Sequence, residues 1–303
     1  MSPGSRLLTV RHVTVYRYSV PVRLGEHRMM LRPRESHDLR LVQTRLDIRP
    51  APANLRWLHD VFDNSVAIAT FDNALTTELR FDSSIILEHL ETTLPDYTME
   101  IAAQRYPFGY SAEDAPDLVR ARTRQYGGHE VRQWAEGFLS LTGTTDTMEM
   151  LQAMTFGIKN DFTYRRRSEK GVQPPEVTLR LRSGSCRDFA WFMMEAVRSL
   201  GLAARFVSGY IFAPDEGQKT AIGGGATHAW MQAYLPGAGW VDFDPTNSIV
   251  GNRNLIRVAV AWDHGQALPL WGSFIGAATS FAGMDVEVSV SETGLAEPSA
   301  ALV

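Results

Sequence analysis

The first part of the chain alternates apolar and polar residues in the manner of β-strands. The stretches LLTVRHVTVYRYSV, LRLVQTRLDIRP and ELRFDSSIILEHLE all carry this period of two, and the first is rich in Val, Thr and Tyr. Between the second and third stretches, DNSV and FDNAL supply the Asp and Asn residues typical of turns. The pattern predicts an N-terminal all-β region over residues 1–95, of the sandwich type.

The pattern changes near Leu94 and Pro95. Between residues 97 and 158, apolar residues recur at three- and four-residue spacing in HEVRQWAEGFLSL and TMEMLQAMTFGIKNDF, which predicts helices. Strand-like patterns return in ARFVSGYIFA, HAWMQAYL and GWVDFD, and again in IRVAVAW and MDVEVSVSE near the end. We therefore expect an α+β core over residues 96–250. Residues 251–303 are expected to add strands that pack on the rest, followed by a frayed tail.

A helix is predicted at the only cysteine of the chain, in SGSCRDFAWFMMEAVRSLG. Gly201 is a C-terminal stop, and Ser185 followed three residues later by Asp188 is a capping-box pattern. If Ser185 is the cap, Cys186 is the first helical residue, where the helix dipole and unpaired N–H groups favour a thiolate. The preceding Gly184 leaves space beside the sulfur. The apolar face of this helix comprises Phe189, Phe192, Met193, Ala196, Val197 and Leu200.

Cys186 could equally be a small buried hydrophobe, and its helix position alone does not decide between the two roles. A nucleophilic cysteine needs a base, and the base needs a group that orients it. The predicted hairpin THAWMQAYLPGAGWVDFDPTN contains both, with His228 opening one strand and Asp244 closing the other. Taken singly, His228 is an ordinary strand histidine and Asp244 a turn residue before proline. Their occurrence together with Cys186 favours a catalytic triad.

The register of this hairpin decides whether His228 and Asp244 can meet. A three-residue loop over 236–238 pairs Leu235 with Gly239 and puts His228 diagonal to Asp244 on one face of the sheet. A slip of one residue would move Asp244 to the other face. The same register puts Asp242 roughly 13 Å from His228 along the strand. Asp242 is therefore predicted to be a solvent-facing or structural residue.

Composition narrows the class of protein. The 303 residues are 44% hydrophobic and 21% charged, which suits a soluble globular protein with a core. A formal net charge of -4 and one short basic run over 165–167 give no indication of nucleic-acid binding. One cysteine cannot form an internal disulfide. No signal peptide and no run of about 18 apolar residues is apparent, so we expect a cytoplasmic protein without a membrane partner.

The stretches GSCRDFAWFMMEAVRSLGLAARFVSGY and THAWMQAYLPGAGWVDFDPTN resemble the transglutaminase-like superfamily. The resemblance covers about residues 155–250, and the β-rich N-terminus is similar to the domain that accompanies bacterial members. It implies a papain-like fold in which Cys186 is the nucleophile, His228 the base and Asp244 its orienting partner. Tyr164, in DFTYRRRS, matches a tyrosine found upstream of the cysteine in similar bacterial proteins. Its hydroxyl would stabilise an oxyanion together with the N–H of Cys186; otherwise Tyr164 is a half-buried aromatic residue.

The reaction implied is acyl transfer at an amide bond through a thioester on Cys186. Hydrolysis by water, as in a peptidase or amidase, is the favoured outcome, and transfer to an amine, as in a transglutaminase, is the alternative. A binding module of the same fold is a further alternative, although such proteins typically lose the nucleophile, which is present here. The expected partner is a peptide or protein amide substrate, and no nucleic acid; the oligomeric state is not predicted.

A zinc site formed by Cys186, His228 and Asp244 is a third interpretation, with an open position for catalysis. The chain lacks a Cys-x-x-Cys or His-x-x-x-His pair, so we expect no metal and no cofactor. The loop APDEGQKTAIGGGAT before His228 is a candidate lid or a passive surface loop, and its glycine run suits a hinge. It lacks the Lys-Ser/Thr of a phosphate-binding loop. The histidines His59, His129 and His264 have no predicted partner.

Overall fold

The computed structural model of the protein describes residues 5–90, 98–141, 143–167, 171–213 and 225–293. It is an α+β structure dominated by antiparallel sheet, which confirms the expected fold class. The helices are α1 (Asp114–Asp117), α2 (Val119–Arg122), α3 (His129–Glu136), α4 (Thr147–Asp161), α5 (Pro175–Leu181) and α6 (Cys186–Ser199). The strands are β1 (Ser5–Met29), β2 (Leu39–Arg49), β3 (Asn54–His59), β4 (Ser65–Thr70), β5 (Leu75–Leu90), β6 (Arg105–Tyr106), β7 (Thr145–Asp146), β8 (Thr163–Tyr164), β9 (Ser183–Gly184), β10 (Ala204–Ile211), β11 (His228–Leu235), β12 (Gly239–Asp244), β13 (Ile249–Val250), β14 (Leu255–Ala261), β15 (Leu270–Ile275) and β16 (Phe281–Glu292).

The core sheet consists of β13, β12, β11, β10 and β14 in that order, and all its described pairings are antiparallel. Helix α6 packs on this sheet and is enclosed on its other sides by α3, α4 and α5. Every residue of α6 except Arg187 is buried. A helix enclosed in this way is held rigidly, and so is the side chain of its first residue, Cys186.

Helix α6 begins at Cys186, as predicted from the capping pattern. The backbone N–H of Ser185 donates to an Asp188 carboxylate oxygen at 2.8 Å, and both halves of the capping box are present. At the other end, Gly201 follows the helix with φ +82, a conformation that glycine adopts without strain. The sequence therefore predicted both ends of this helix.

Of two other predicted helices, one has the predicted bounds and the other is shorter than predicted. Helix α4 matches its predicted stretch, and its cap Asp146 accepts a hydrogen bond from the Glu149 N–H at 3.0 Å. Helix α3 stops at Glu136, although the periodic pattern continued to Leu141. The residue after Glu136 is Gly137, and glycine is a poor helix former, so the apolar residues beyond it are not helical.

The β11–β12 hairpin has the predicted register. Leu235 pairs with Gly239 and Gln232 with Asp242, which leaves a three-residue turn over 236–238. Gly237 in this turn has φ +86, so a residue without a Cβ is needed there. Asp244 accordingly ends its strand on the face that the sequence analysis assigned to it.

The N-terminal sheet contains seven strands and is built on β1, which is 25 residues long. The first part of β1 pairs with β5 and β16, and its last part pairs with β4 and β15. The register of β1 shifts between Arg17 and Val22 and again between Leu24 and His27. In this part of its length, β1 passes from pairing with β5 and β16 to pairing with β4 and β15. The neighbouring strands are interrupted at the same level, over 50–53, 71–74 and 276–280. All seven strands therefore belong to one continuous sheet, in which β1 pairs with β4, β5, β15 and β16.

The C-terminal segment over 251–303 contributes strands to both sheets. Strand β14 pairs with β10 in the core sheet, whereas β15 and β16 pair with β1 in the N-terminal sheet. All three pairings are antiparallel. Those of β15 and β16 with β1 join the C-terminal segment to the first strand of the chain. The tail over 294–303, predicted to be frayed, lies outside the described residues, as does most of the candidate lid, over 214–224.

The two sheets pack against each other over a common apolar cluster. Leu8, Val10 and Ile85 of the N-terminal sheet meet Tyr210 and Ile256 of the core sheet. The Tyr210 hydroxyl donates to the Leu31 carbonyl at 3.2 Å and lies 3.0 Å from Nδ1 of His12. Burial lowers the pKa of His12 to about 4, so this histidine is neutral and structural.

We predict that Gly209→Ala destabilises the protein. Gly209 lies in β10 opposite His228, and a Cβ there would overlap the carbonyl oxygen of Ile256 and lie 2.8 Å from the Trp230 ring. Overpacking of this kind costs about 1–3 kcal/mol in the free energy of unfolding, which urea denaturation would measure. The matched control is Gly109→Ala, where an added Cβ meets nothing within 4 Å. An equal loss of stability in both variants would contradict the prediction.

Candidate active site

Cys186 is buried at the start of α6, with 6% of its surface exposed. As the first residue of the helix it lies at the positive end of the dipole, where backbone N–H groups have no partners within the helix. Its sulfur influences the titration of both His228 and Tyr164. The thiol, the imidazole and the phenol are therefore neighbours, although they are far apart in the sequence.

His228 and Asp244 form a buried hydrogen-bonded pair. Nε2 of His228 lies 2.8 Å from Oδ2 of Asp244, and neither side chain is exposed to solvent. The Thr246 N–H donates to Oδ1 of Asp244 at 2.9 Å, and the Asn247 amide donates to Oδ2 at 2.9 Å. Burial by itself would raise the pKa of Asp244, but His228 and these donors outweigh it and hold the pKa below its usual value. Asp244 is therefore an ionised, fixed acceptor.

The second ring nitrogen of His228, Nδ1, is not bonded to Asp244. Nδ1 is buried and has no hydrogen-bond partner of standard geometry among the described residues. Burial alone would lower the pKa of His228, but Asp244, and then Cys186, outweigh it and raise the pKa to about 10. His228 therefore holds a proton at neutral pH and provides a cation beside the sulfur. A hydrogen bond that is not fully formed in the free protein is common for catalytic pairs.

Trp230 and Asp242 support the histidine from its own hairpin. The His228 and Trp230 rings are stacked with centroids 5.9 Å apart, and the indole N–H of Trp230 donates to Asp242 at 2.6 Å. Asp242 is 3% exposed, so of the two roles predicted for it the structural one holds. Burial raises the pKa of Asp242, and Arg257, 3.9 Å away, opposes that shift. Asp242 acts through Trp230 and does not contact His228.

Tyr164 is brought to the cysteine by a short parallel pairing. β8 pairs with β9 so that Tyr164 lies opposite Gly184, two residues before Cys186. The Arg165 N–H continues this pairing with a 2.8 Å bond to the Gly184 carbonyl. Burial raises the pKa of Tyr164, and the nearby Cys186 raises it further. The phenol is therefore protonated at neutral pH and able to donate a hydrogen bond beside the thiol.

Two residues of the site have positions that sequence reasoning missed. Asp188 was predicted only as a cap, but its carboxylate also accepts from Arg167 at 2.7 Å and from the Gln173 N–H at 2.6 Å. It thereby fixes the segment that follows Tyr164 and the residue before α5 relative to the start of α6. Asn247 lies 3.4 Å from Nε2 of His228 besides donating to Asp244. Its position in the quoted stretch DPTN, directly after the acid, is the one signal in the sequence that could have indicated it.

The three histidines left without a predicted partner, His59, His129 and His264, take no part in the hydrogen bonds of His228 and Asp244. His59 is exposed and bonds to Asp63 at 2.9 Å, and the ring of His264 packs edge-on against Trp191 with centroids 4.9 Å apart. His129 opens helix α3. No group of three or more metal-ligating side chains occurs within the described parts of the chain. In the same ranges, no helix is long and apolar enough to cross a membrane.

The chain matches two family models and resembles known proteins in sequence and fold. The bacterial transglutaminase-like N-terminal region matches residues 8–88, and the transglutaminase-like superfamily matches residues 132–245. An uncharacterized protein of Mycobacterium tuberculosis is 32% identical over 279 residues, which cover 89% of this chain and 88% of the relative. A Bacillus subtilis protein, YebA, is 34% identical over 150 residues, covering 48% of this chain and 20% of its own. A structure named "putative cysteine protease" from Cytophaga hutchinsonii has a TM-score of 0.67 at 18% identity, covering 96% and 92% of the two chains.

We predict that Cys186 reacts with iodoacetamide at neutral pH in a manner that depends on His228. Because the chain has one cysteine, modification reports on this thiol alone. The raised pKa of His228 keeps a cation beside the sulfur at neutral pH, which favours the thiolate, so the wild-type rate should rise less between pH 6 and pH 8 than that of His228→Ala. In His228→Ala the rate at pH 7 should fall on the order of tenfold, because an ordinary thiol is only a few per cent ionised there.

The control for this measurement is His59→Ala, which removes an exposed histidine outside the site. Its profile should match the wild type. If the wild-type rate instead rose with pH in the same way as that of His228→Ala, the imidazole would have no influence on the sulfur.

Proposed function

The chain belongs to the transglutaminase-like superfamily, a family of cysteine-dependent enzymes, and we propose that it is a peptidase or amidase that hydrolyses amide bonds through a thioester on Cys186. The observation that carries the proposal is the environment of His228. One ring nitrogen lies 2.8 Å from the buried Asp244, and the other is buried without a hydrogen-bond partner among the described residues, while Cys186 contributes to the raised pKa of the ring. This is the arrangement that a base needs in order to exchange a proton with a cysteine nucleophile.

The first half of the proposed reaction forms the thioester. The sulfur of Cys186 attacks the amide carbonyl carbon, and the carbonyl electrons move onto oxygen. As the tetrahedral intermediate collapses, the C–N bond breaks and His228 gives its proton to the departing amine. Asp244 holds the ring in place and compensates its charge while the ring is protonated.

The second half releases the acyl group to water. Water attacks the thioester carbonyl while His228 takes one of its protons. The C–S bond then breaks, which frees a carboxylic acid and restores the thiolate beside the imidazolium. Transfer to an amine would follow the same steps with the amine in place of water. We favour water because the fold neighbour with a TM-score of 0.67 is named as a protease.

In this scheme Tyr164 and the Cys186 N–H stabilise the oxyanion. The supporting observations are the register that puts Tyr164 opposite Gly184 and the influence of Cys186 on the pKa of Tyr164. A phenol and a helix-terminal N–H are both suitable donors to a developing alkoxide. Asp188, through its hydrogen bonds with Ser185, Arg167 and Gln173, would hold the Tyr164 hydroxyl and the Cys186 N–H in fixed positions relative to each other.

We expect the wild-type protein to hydrolyse members of a peptide-amide library in heavy-oxygen water, because water is the favoured acyl acceptor. Mass spectrometry should find heavy oxygen in the new carboxylates, with no such product from Cys186→Ala. Added amines distinguish the alternatives: amine adducts as the main product would identify a transferase. If the wild type and Cys186→Ala gave identical spectra with every peptide, the protein would be a binding module and the proposal would be wrong.

We further expect Tyr164→Phe to lower kcat on a substrate found in this way, on the order of 10²-fold, because loss of one oxyanion donor has an effect of that size. KM should change little, and so should the rate of iodoacetamide modification, since alkylation generates no oxyanion in this position. A parallel loss of kcat and of alkylation rate would indicate that Tyr164 instead maintains the local structure around the thiol.

A further inference from the structure

The N-terminal sheet contains a cleft that plays no part in the site around Cys186. Strands β2 and β5 lie along the first part of β1, and β4 and β3 lie along its last part. Residues from both parts of the sheet pack in one apolar cluster that includes Val22, Leu24 and Phe81. Beyond this cluster a cavity of about 300 Å³ remains between them. We call it the N-terminal cleft and define it by Leu46, Leu55, Trp57, Ser83, Arg32 and Arg45.

The walls of the N-terminal cleft are apolar and accessible. Trp57 is 48% exposed and Leu55 is 37% exposed, and both lie on the edge strand β3. Leu46 of the opposite edge strand, β2, is half-buried on the other wall. A volume of about 300 Å³ lies at the lower end of the range for small-molecule pockets. The walls therefore suit a short acyl chain or an aromatic ring.

The floor of the cleft carries one hydroxyl group. Ser83 lines the cavity and is only 4% exposed as a residue. Its hydroxyl oxygen is not among the buried side-chain atoms that lack a hydrogen-bond partner, so it is accessible from the cavity. Ser83 therefore marks a position where a polar atom of a ligand would gain a partner.

The rim of the cleft carries positive charge. Arg32 donates to the Thr44 hydroxyl at 3.2 Å and has no carboxylate within salt-bridge distance among the described residues. Arg45 pairs with Asp47 at 3.2 Å, but both side chains are exposed, so that pair is weak and open to exchange. A guanidinium held by a hydroxyl and lacking an acid is a ready partner for an anion.

We propose that the N-terminal cleft binds a small amphipathic anion, with its apolar body between Trp57, Leu55 and Leu46 and its carboxylate or phosphate on Arg32. The argument combines the Ser83 hydroxyl on the floor of the cavity with the charge at the rim and the accessible apolar walls. It does not depend on the chemistry of Cys186, because none of these residues belongs to the core sheet.

The test is calorimetric titration of the full-length protein with hexanoate, hexyl phosphate and hexanol. The two anions have a common tail and represent the two sources of charge, and hexanol lacks the charge. Saturable binding of at least one anion, tighter than that of hexanol, is expected. In Arg32→Gln the affinity for that anion should fall about tenfold or more, because charge-assisted hydrogen bonds contribute that much, while hexanol binding should not change. Trp57→Ala should weaken all three.

Two further variants keep the result interpretable. Arg56→Gln alters an exposed arginine next to Trp57 in the strand, where alternation puts it on the opposite face of the sheet, and should bind as the wild type does. Arg32→Lys retains the charge and should restore part of the affinity, which a merely misfolded Arg32→Gln would not explain. The proposal is overturned if no probe saturates, if hexanol binds as tightly as both anions, or if Arg32→Gln and Trp57→Ala behave like Arg56→Gln.

Discussion

The whole candidate site depends on the buried pair of His228 and Asp244. Two ionisable groups with no solvent exposure are stable only where their charges compensate each other and every remaining lone pair has a donor. Thr246 and Asn247 supply those donors to Asp244 from the turn that follows β12. The turn is itself anchored, because Lys159 of α4 donates to the Thr246 carbonyl at 2.9 Å. The imidazole is thereby held with Nε2 bonded to Asp244 and with Nδ1 buried and not used by Asp244.

Helix α6 requires comparable support, because it is enclosed on all sides yet contains charged residues. Near its end, Arg198 and Glu195 form a buried ion pair at 2.9 Å, and Arg198 also donates to the carbonyls of Ala121, Ala204 and Trp262. Near its start, Asp188 accepts hydrogen bonds from Arg167, Gln173 and Ser185. Both networks are paired throughout, so they cost little stability and fix the helix at two points along its length. The position of Cys186 relative to the sheet is therefore set by polar networks as well as by apolar packing.

The parts of the structure that local rules determine could be predicted from the sequence. The capping box located the start of α6, and the length of the turn between Leu235 and Gly239 set the register that brings Asp244 to His228. Both depend on residues a few positions apart. The burial of Asp242 could not be predicted, because it results from the indole N–H of Trp230, which lies on the neighbouring strand. The role of Asp188 toward Arg167 and Gln173 is non-local in the same way.

The same limit applies to the architecture as a whole. The alternation in β1 predicted a strand but contained no information on its four partners, two of which come from the far end of the chain. Strand pairing over such distances depends on the fit of entire faces and on the cost of closing long loops, neither of which has a local sequence signal. For the same reason, the sequence did not predict that β14 joins the core sheet whereas β15 and β16 join the N-terminal sheet.

The N-terminal region packs against the side of the core sheet that carries Trp230, next to the candidate site. Along β11, Ala229 and Met231 pack into the cluster around α6, whereas Trp230 lies in a second cluster that Phe62 of the N-terminal region covers. The loop that carries Phe62 is fixed by Asn64, whose amide forms bonds of 2.8 and 2.9 Å with the backbone of Val260 in β14. The Trp230 ring is also the surface on which His228 stacks. The N-terminal region therefore packs against the same apolar cluster that contains the ring supporting the imidazole.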